Sequence, residues 1–207
     1  MVSRGKVLLQ MSTLSKLSNS IVKDNKNTEK ALKSLKYNPA SRPFEMKFPV
    51  IEKFYRNPSL QKRIANTCRA IGDEQFKKTN VKANMTGWRL DLEHEEVNTL
   101  ANKAIELASD IRKSYSQIDY YTRSCWGASY TKGQYTDEHA HWPCLYSWCY
   151  YVKAPKGSSP LIFTEGVIEF EPTEGDLIIF SSLVNHKVPK CECEEPRVMI
   201  AGNISVR

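Results

Sequence analysis

Residues 175–188 read GDLIIFSSLVNHKV, and the fold follows from how such a stretch has to be used. Gly175-Asp176 is a turn signal. Leu177 to Ser181 is an apolar run too short for a helix and of the right length for a buried strand. A histidine, His186, stands just beyond it. The sequence on either side has the same texture. Upstream, Leu145 to Val152 (LYSWCYYV) is an aromatic-rich strand, and Ala154 to Pro160 is a turn. Leu161-Ile162-Phe163 and Val167 to Phe170 flank Glu165-Gly166 as a hairpin would. Tyr120 to Tyr130 alternates bulky residues, and Lys132-Gly133 turns the chain. Downstream, Arg197 to Val206 (RVMIAGNISV) is the last strand. About seven short strands follow Asp119, a density that points to a double-sheet jelly roll.

The chain before Asp119 is of another kind. Phe48 to Tyr55 reads as extended. Asn57-Pro58-Ser59 starts a helix over 58–71, with Leu60, Ile64, Cys68 and Ile71 at helical spacing and Gly72 to end it. Residues 81–90 read as extended, with a turn at Thr86-Gly87. A second helix covers 95–115, with Val97, Leu100, Ala104, Leu107, Ala108 and Ile111 as its apolar stripe. The expected fold class is therefore mainly β with flanking helices packed on one face.

With 207 residues the chain can bury one sizeable core. No run approaches a membrane span, and the N-terminus lacks the pattern of a signal peptide. The six cysteines lack the spacing of a disulfide scaffold, which favours a reducing, cytoplasmic setting. Cys191-Glu192-Cys193 reads as exposed loop thiols, with a soft-metal site as the alternative. Charge is unevenly placed. Residues 1–48 hold ten Lys/Arg against three Asp/Glu, and residues 49–207 hold twenty of each. The basic character thus belongs to an N-terminal arm, partly disordered by composition, with a short helix over 29–36. The body is a second unit, 49–207. Such an arm can meet an acidic partner or nucleic acid, or it can be a solvated leader.

The chain has four histidines, and three fall in two segments: His139 and His141 in DEHAH, and His186 after the GDLIIF strand. On an extended strand, residues i and i+2 share a face. Two same-face histidines with a distant third suit a divalent transition metal that keeps open positions. His94 reads as a helix-start residue.

Taken in order, these elements resemble the iron(II)- and 2-oxoglutarate-dependent oxygenase superfamily, and within it the small prolyl-hydroxylase-like oxygenases of bacteria and their viruses. The matching residues are Asn84 to Trp88, Trp126, His139 with His141, and Ser147 to Val152. Gly175 to Phe180, His186, Arg197 and Asn203 continue the pattern. The resemblance covers residues 80–207. It implies a double-stranded β-helix core that binds Fe(II) and 2-oxoglutarate and uses O2. Succinate and CO2 would be released as an unactivated C–H bond is hydroxylated, with a peptide or protein side chain, such as prolyl, as substrate.

The superfamily's usual first ligand pair is His-x-Asp or His-x-Glu, and here His141 stands where the acid would be. Three readings follow: a three-histidine site, a His139/His186 site with His141 outside it, or a carboxylate supplied by Asp137 or Glu138. The resemblance makes Arg197 the anchor for the distal carboxylate of 2-oxoglutarate, and guanidinium matches carboxylate in geometry. Asn203 shares the Arg197 face by strand parity and can bind cosubstrate or make a structural bond. Tyr130, Ser147 and Tyr151 are candidate pocket hydroxyls, or packed core residues with satisfied hydroxyls. Asp176 belongs to the turn. Two other functions fit a jelly roll: a three-histidine cupin-like dioxygenase without 2-oxoglutarate, and a non-catalytic binding or assembly module.

Overall fold

The computed structural model describes residues 51–55, 57–69, 79–111, 118–166 and 168–207. The basic arm, with its expected helix over 29–36, lies outside the described residues. So do residues 70–71 and 112–115, at the ends of the two expected long helices.

Strand β1 (Ile51–Phe54) leads into helix α1 (Pro58–Arg69). Asn57 Oδ1 accepts the Leu60 N–H at 3.0 Å, and Pro58 sits in the first turn, where no amide donor is needed. Strands β2 (Val81–Lys82) and β3 (Asn84–Met85) precede helices α2 (Leu90–Glu93) and α3 (Glu95–Ile111). The single turn of α2 is unexpected from sequence, because four residues are too few to show a period. It is braced at its start by Arg89, which donates to both carboxylate oxygens of Asp91 at 3.0 and 2.8 Å. His94 joins α2 to α3, and its carbonyl accepts the Val97 and Asn98 N–H groups. Glu95 and Glu96 place carboxylates at the positive end of α3.

Eight strands follow: β4 (Tyr120–Tyr130), β5 (Tyr135–His139), β6 (Tyr146–Lys153), β7 (Leu161–Phe163), β8 (Ile168–Phe170), β9 (Asp176–Ser181), β10 (His186–Val188) and β11 (Arg197–Val206). One sheet runs β1-β9-β6-β11-β4-β3 and the other β2-β5-β10-β7-β8, with antiparallel pairing throughout. This is the two-sheet jelly roll that the sequence implies.

Strand alternation splits the interior into two cores. On β6, Tyr146, Trp148, Tyr150 and Val152 pack with Leu60, Ile64, Val97, Leu100 and Leu107 of the helices. Cys149 and Tyr151 face the other way, between the sheets, with Trp126, Phe163, Phe180 and Met199. Each large apolar side chain so buried contributes roughly 1.5–3 kcal/mol. Gly202 on β11 lets the Trp148 indole lie against the strand, since a Cβ there would stand 2.6 Å from indole carbons.

The Cys191-Glu192-Cys193 segment corrects the sequence reading. Both thiols are buried, and only Glu192 points outward. Cys191 exchanges backbone hydrogen bonds with Gly133 and Gln134, so the segment runs as an extended edge with alternate side chains inside. Its thiols point at the carbonyls of Tyr130 and Lys156. No metal-ligand group forms around them among the described residues.

Candidate metal centre

His139 is the last residue of β5, and His186 is the first of β10. They are direct partners across an antiparallel pair. His141 lies beyond the end of β5, so the two-residue spacing does not act through one strand as expected. The chain bends instead, and the His141 N–H donates to the Ser182 carbonyl at 2.8 Å. That bond returns the third ring to the other two. Ring centroids are 4.5 Å apart for His139–His186, 4.7 Å for His139–His141 and 5.1 Å for His141–His186. One ring nitrogen from each lies within 4.8 Å of the others. Three ligand atoms bonded at about 2.1 Å to one ion lie roughly 3.0–3.6 Å apart, so the widest pair here would have to close by more than about 1 Å to share an ion.

Two of the rings have a fixed proton. His139 Nδ1–H donates to the Asp137 carbonyl at 2.8 Å, and His186 Nδ1–H donates to the Val184 carbonyl at 3.0 Å. Each Nε2 is then left with its lone pair, the form in which imidazole binds a metal. Burial lowers the pKa of all three rings. His186 falls to about 4 through burial and the neighbouring His139. His141 falls to about 2 through burial and then the other two rings. The rings are therefore neutral in ordinary buffer. The Asp137 carboxylate lies 3.7 Å from Lys82 and is half exposed, and that of Glu138 accepts from Thr164. Among the described residues neither joins the three-histidine group.

One open cavity is lined by His139, His141, His186 and Arg197 together. Arg197 opens β11 and is 1% exposed. Its guanidinium lies 4.8 Å from the Tyr130 ring centre and 5.1 Å from that of Tyr151. Nε and Nη1 are buried with no hydrogen-bond partner, and among the described residues no carboxylate pairs with it. An unpaired buried cation is costly, and cation–π attraction offsets only part of that cost. An anion arriving in the cavity would find the charge waiting.

The other expected residues divide. Ser147 lines the cavity. Tyr130 and Tyr151 flank Arg197 as buried rings, and burial raises both phenol pKa values, so both stay neutral. Asn203 sits in register between Ser147 on β6 and Ser124 on β4. It accepts from the Ser147 hydroxyl at 2.8 Å and donates to the Ser124 hydroxyl at 3.1 Å. Sequence reasoning missed Thr136, Cys149 and Ser182. Thr136 and Cys149 line the cavity, and Thr136 bonds the Tyr130 hydroxyl at 2.7 Å. Burial pushes the Cys149 thiol up to about 12. Parity gave no signal for Thr136: it alternates with His139 along β5, and the register shift between β5 and β10 brings both to the cavity.

No protein-family model matches the sequence, and neither does any curated protein. Solved structures do match. A prolyl-4-hydroxylase of Pseudomonas putida superposes with a TM-score of 0.62 at 20% identity, over 78% of this chain and 94% of that one. The viral collagen prolyl hydroxylase of Paramecium Bursaria Chlorella virus-1, in its 2OG complex, gives 0.60 at 18% identity, over 77% and 96%. The fold is that of the 2OG-Fe(II) oxygenases. A Trichoplax adhaerens prolyl hydroxylase, in complex with a hypoxia inducible factor peptide, gives 0.58 at 16% identity, over 76% and 83%. Within the described residues no helix is long and apolar enough to cross a membrane.

Proposed function

We propose that this protein is an Fe(II)- and 2-oxoglutarate-dependent oxygenase that hydroxylates an unactivated C–H bond. One observation carries the reading: a single cavity is lined by three neutral imidazoles and a buried guanidinium that has no anionic partner among the described residues. Three imidazoles suit a divalent transition ion with open positions, and the guanidinium suits the far carboxylate of a 2-oxo acid. Bound iron, 2-oxoglutarate and O2 would supply the oxidising chemistry, with succinate and CO2 as co-products.

The chain's own residues then have distinct tasks. His139, His141 and His186 hold the ion. Arg197 forks onto the distal carboxylate, and the rings of Tyr130 and Tyr151 fix its plane. Trp126, Phe180, Leu161 and Val188 wall the cavity and keep bulk water from the reacting end. Beside His141, Trp142 is 77% exposed, and beside Ser182, Leu183 is 54% exposed. These apolar side chains suit a substrate larger than the cavity. With the peptide-bound Trichoplax structure, they support a peptide or protein side chain, prolyl among them, as the substrate class.

The test is succinate production from 2-oxoglutarate by the Fe(II)-loaded protein in air, with proline-containing peptides added. The expected result is turnover that requires both iron and 2-oxoglutarate and rises with an accepted peptide. Iron binding without any succinate would favour the second reading, the cupin-like three-histidine dioxygenase. The all-histidine ligand group favours that alternative, whereas Arg197 is unexplained by it.

A further inference from the structure

His139 and His186 have their tautomers set by backbone carbonyls, but His141 does not. The polar group at its Nδ1 is a side chain, with Asn203 Nδ2 at 3.5 Å. Asn203 is 7% exposed and belongs to a buried chain: Ser182 Oγ to Ser147 Oγ at 2.8 Å, Ser147 Oγ to Asn203 Oδ1, and Asn203 Nδ2 to Ser124 Oγ. The Ser182 carbonyl also holds the His141 backbone, so one chain of groups governs both the position and the ring of His141.

A carboxamide offers two faces. With Nδ2 toward His141, Nδ1 accepts and Nε2 carries the proton, so Nε2 cannot bind a metal. With Oδ1 toward His141, Nδ1–H donates and Nε2 is a ligand. Half a turn of the amide exchanges the two. Every serine hydroxyl in the chain can donate or accept, so the chain is satisfied either way.

We propose that Asn203 is the positioning residue for His141, presenting Oδ1 to Nδ1–H in the metal-bound protein. It does there what a backbone carbonyl does for His139 and His186. The inference rests on the three-histidine metal reading above. It adds that the third ligand is switched by a side chain, so its engagement can be changed by substitution without touching any histidine.

The experiment is Zn(II) binding to the full chain by competition with a chelator, plus nitrogen–proton NMR of the histidine tautomers in the Zn(II)-loaded protein. Wild type, Asn203→Asp and Asn203→Leu are compared. An aspartate can only accept, so Asn203→Asp should bind Zn(II) at least as tightly as wild type, with His141 protonated on Nδ1. Asn203→Leu should bind roughly 10–100-fold more weakly, the usual loss when such a partner is removed. It should also show only two metal-bound rings. Asn203→Leu with wild-type affinity and three bound rings would overturn the proposal, and so would Asn203→Asp binding more weakly than wild type. Failure of wild type to bind any metal would instead overturn the metal reading beneath it. The Asn203→Asp outcome keeps the proposal testable should the leucine variant fail to fold.

Discussion

Arg197→Met separates a ligand anchor from a structural arginine. In the free protein the Arg197 side chain is 1% exposed, two of its guanidinium nitrogens are buried without a hydrogen-bond partner, and it lies over the rings of Tyr130 and Tyr151 with no carboxylate paired to it among the described residues. Replacing it with an apolar chain of similar length removes an uncompensated buried charge. Even a whole buried ion pair can be replaced by apolar side chains at no cost or with a gain of about 1–4 kcal/mol. Against that stands the forfeited attraction to the two tyrosine rings, about 0.5–2 kcal/mol for each. The two effects oppose each other over similar ranges, so the apo protein should end between about 4 kcal/mol less and about 3 kcal/mol more stable than wild type. Ligand binding should suffer heavily, because removing one partner of a buried charged pair costs about 2–5 kcal/mol, roughly 30-fold to several thousandfold in Kd. The assay is thermal melting of the metal-loaded protein, anaerobic, with and without 2-oxoglutarate. At about 100 times Kd wild type gains about 2.7 kcal/mol, or roughly 5–10 °C for a domain of this size. Arg197→Met should show at most about a third of that shift at the same concentration. A variant that loses several kcal/mol without ligand but keeps the full shift would refute the anchor argument.

Three further outcomes follow from the geometry. Gly202→Ala forces a Cβ to within 2.6 Å of the Trp148 indole. It should cost about 1–3 kcal/mol as an overpacked core does, read as a lowered melting temperature with altered Trp fluorescence. Acid should destabilise the apo protein through its histidines. Their folded pKa values lie below the unfolded value near 6.5, so the unfolded chain binds more protons. Stability should then be full above about pH 6.5 and fall by up to about 1.4 kcal/mol per pH unit per ring below it, towards pH 4 for His186. A denaturation series from pH 8 to pH 4 checks this, and a flat profile would contradict it. Trp142→Ala removes an exposed side chain. It should change stability by no more than about 0.5 kcal/mol while raising the KM for a peptide substrate and leaving 2-oxoglutarate binding unchanged.

The strand pattern was legible because one rule governs it. On β11, the odd positions Arg197, Met199, Ala201 and Asn203 do turn to one face, and Ile200 and Ile204 to the other. The neighbouring strands absorb the register shifts, so the parity of β11 survives. The three histidines were legible as a group for their rarity, but not the way they meet. His141 reaches the others through a bend and a bond to the Ser182 carbonyl, and serine in a sequence carries no sign of such a partner. Ser124, Ser147 and Ser182 become a chain only when β4, β6 and the end of β9 are side by side. The Cys191–Cys193 loop was misjudged because a charged Glu192 between two small residues looks exposed. Pairing with the β4–β5 turn buries every other side chain.

The most direct test of the central claim is anaerobic titration of the protein with Fe(II) and then 2-oxoglutarate, followed by visible absorption. A charge-transfer band that grows with 2-oxoglutarate to one equivalent, and that needs His139, His186 and Arg197 for its full affinity, is the result this account requires. Tight Fe(II) binding with no band at any 2-oxoglutarate concentration would contradict it.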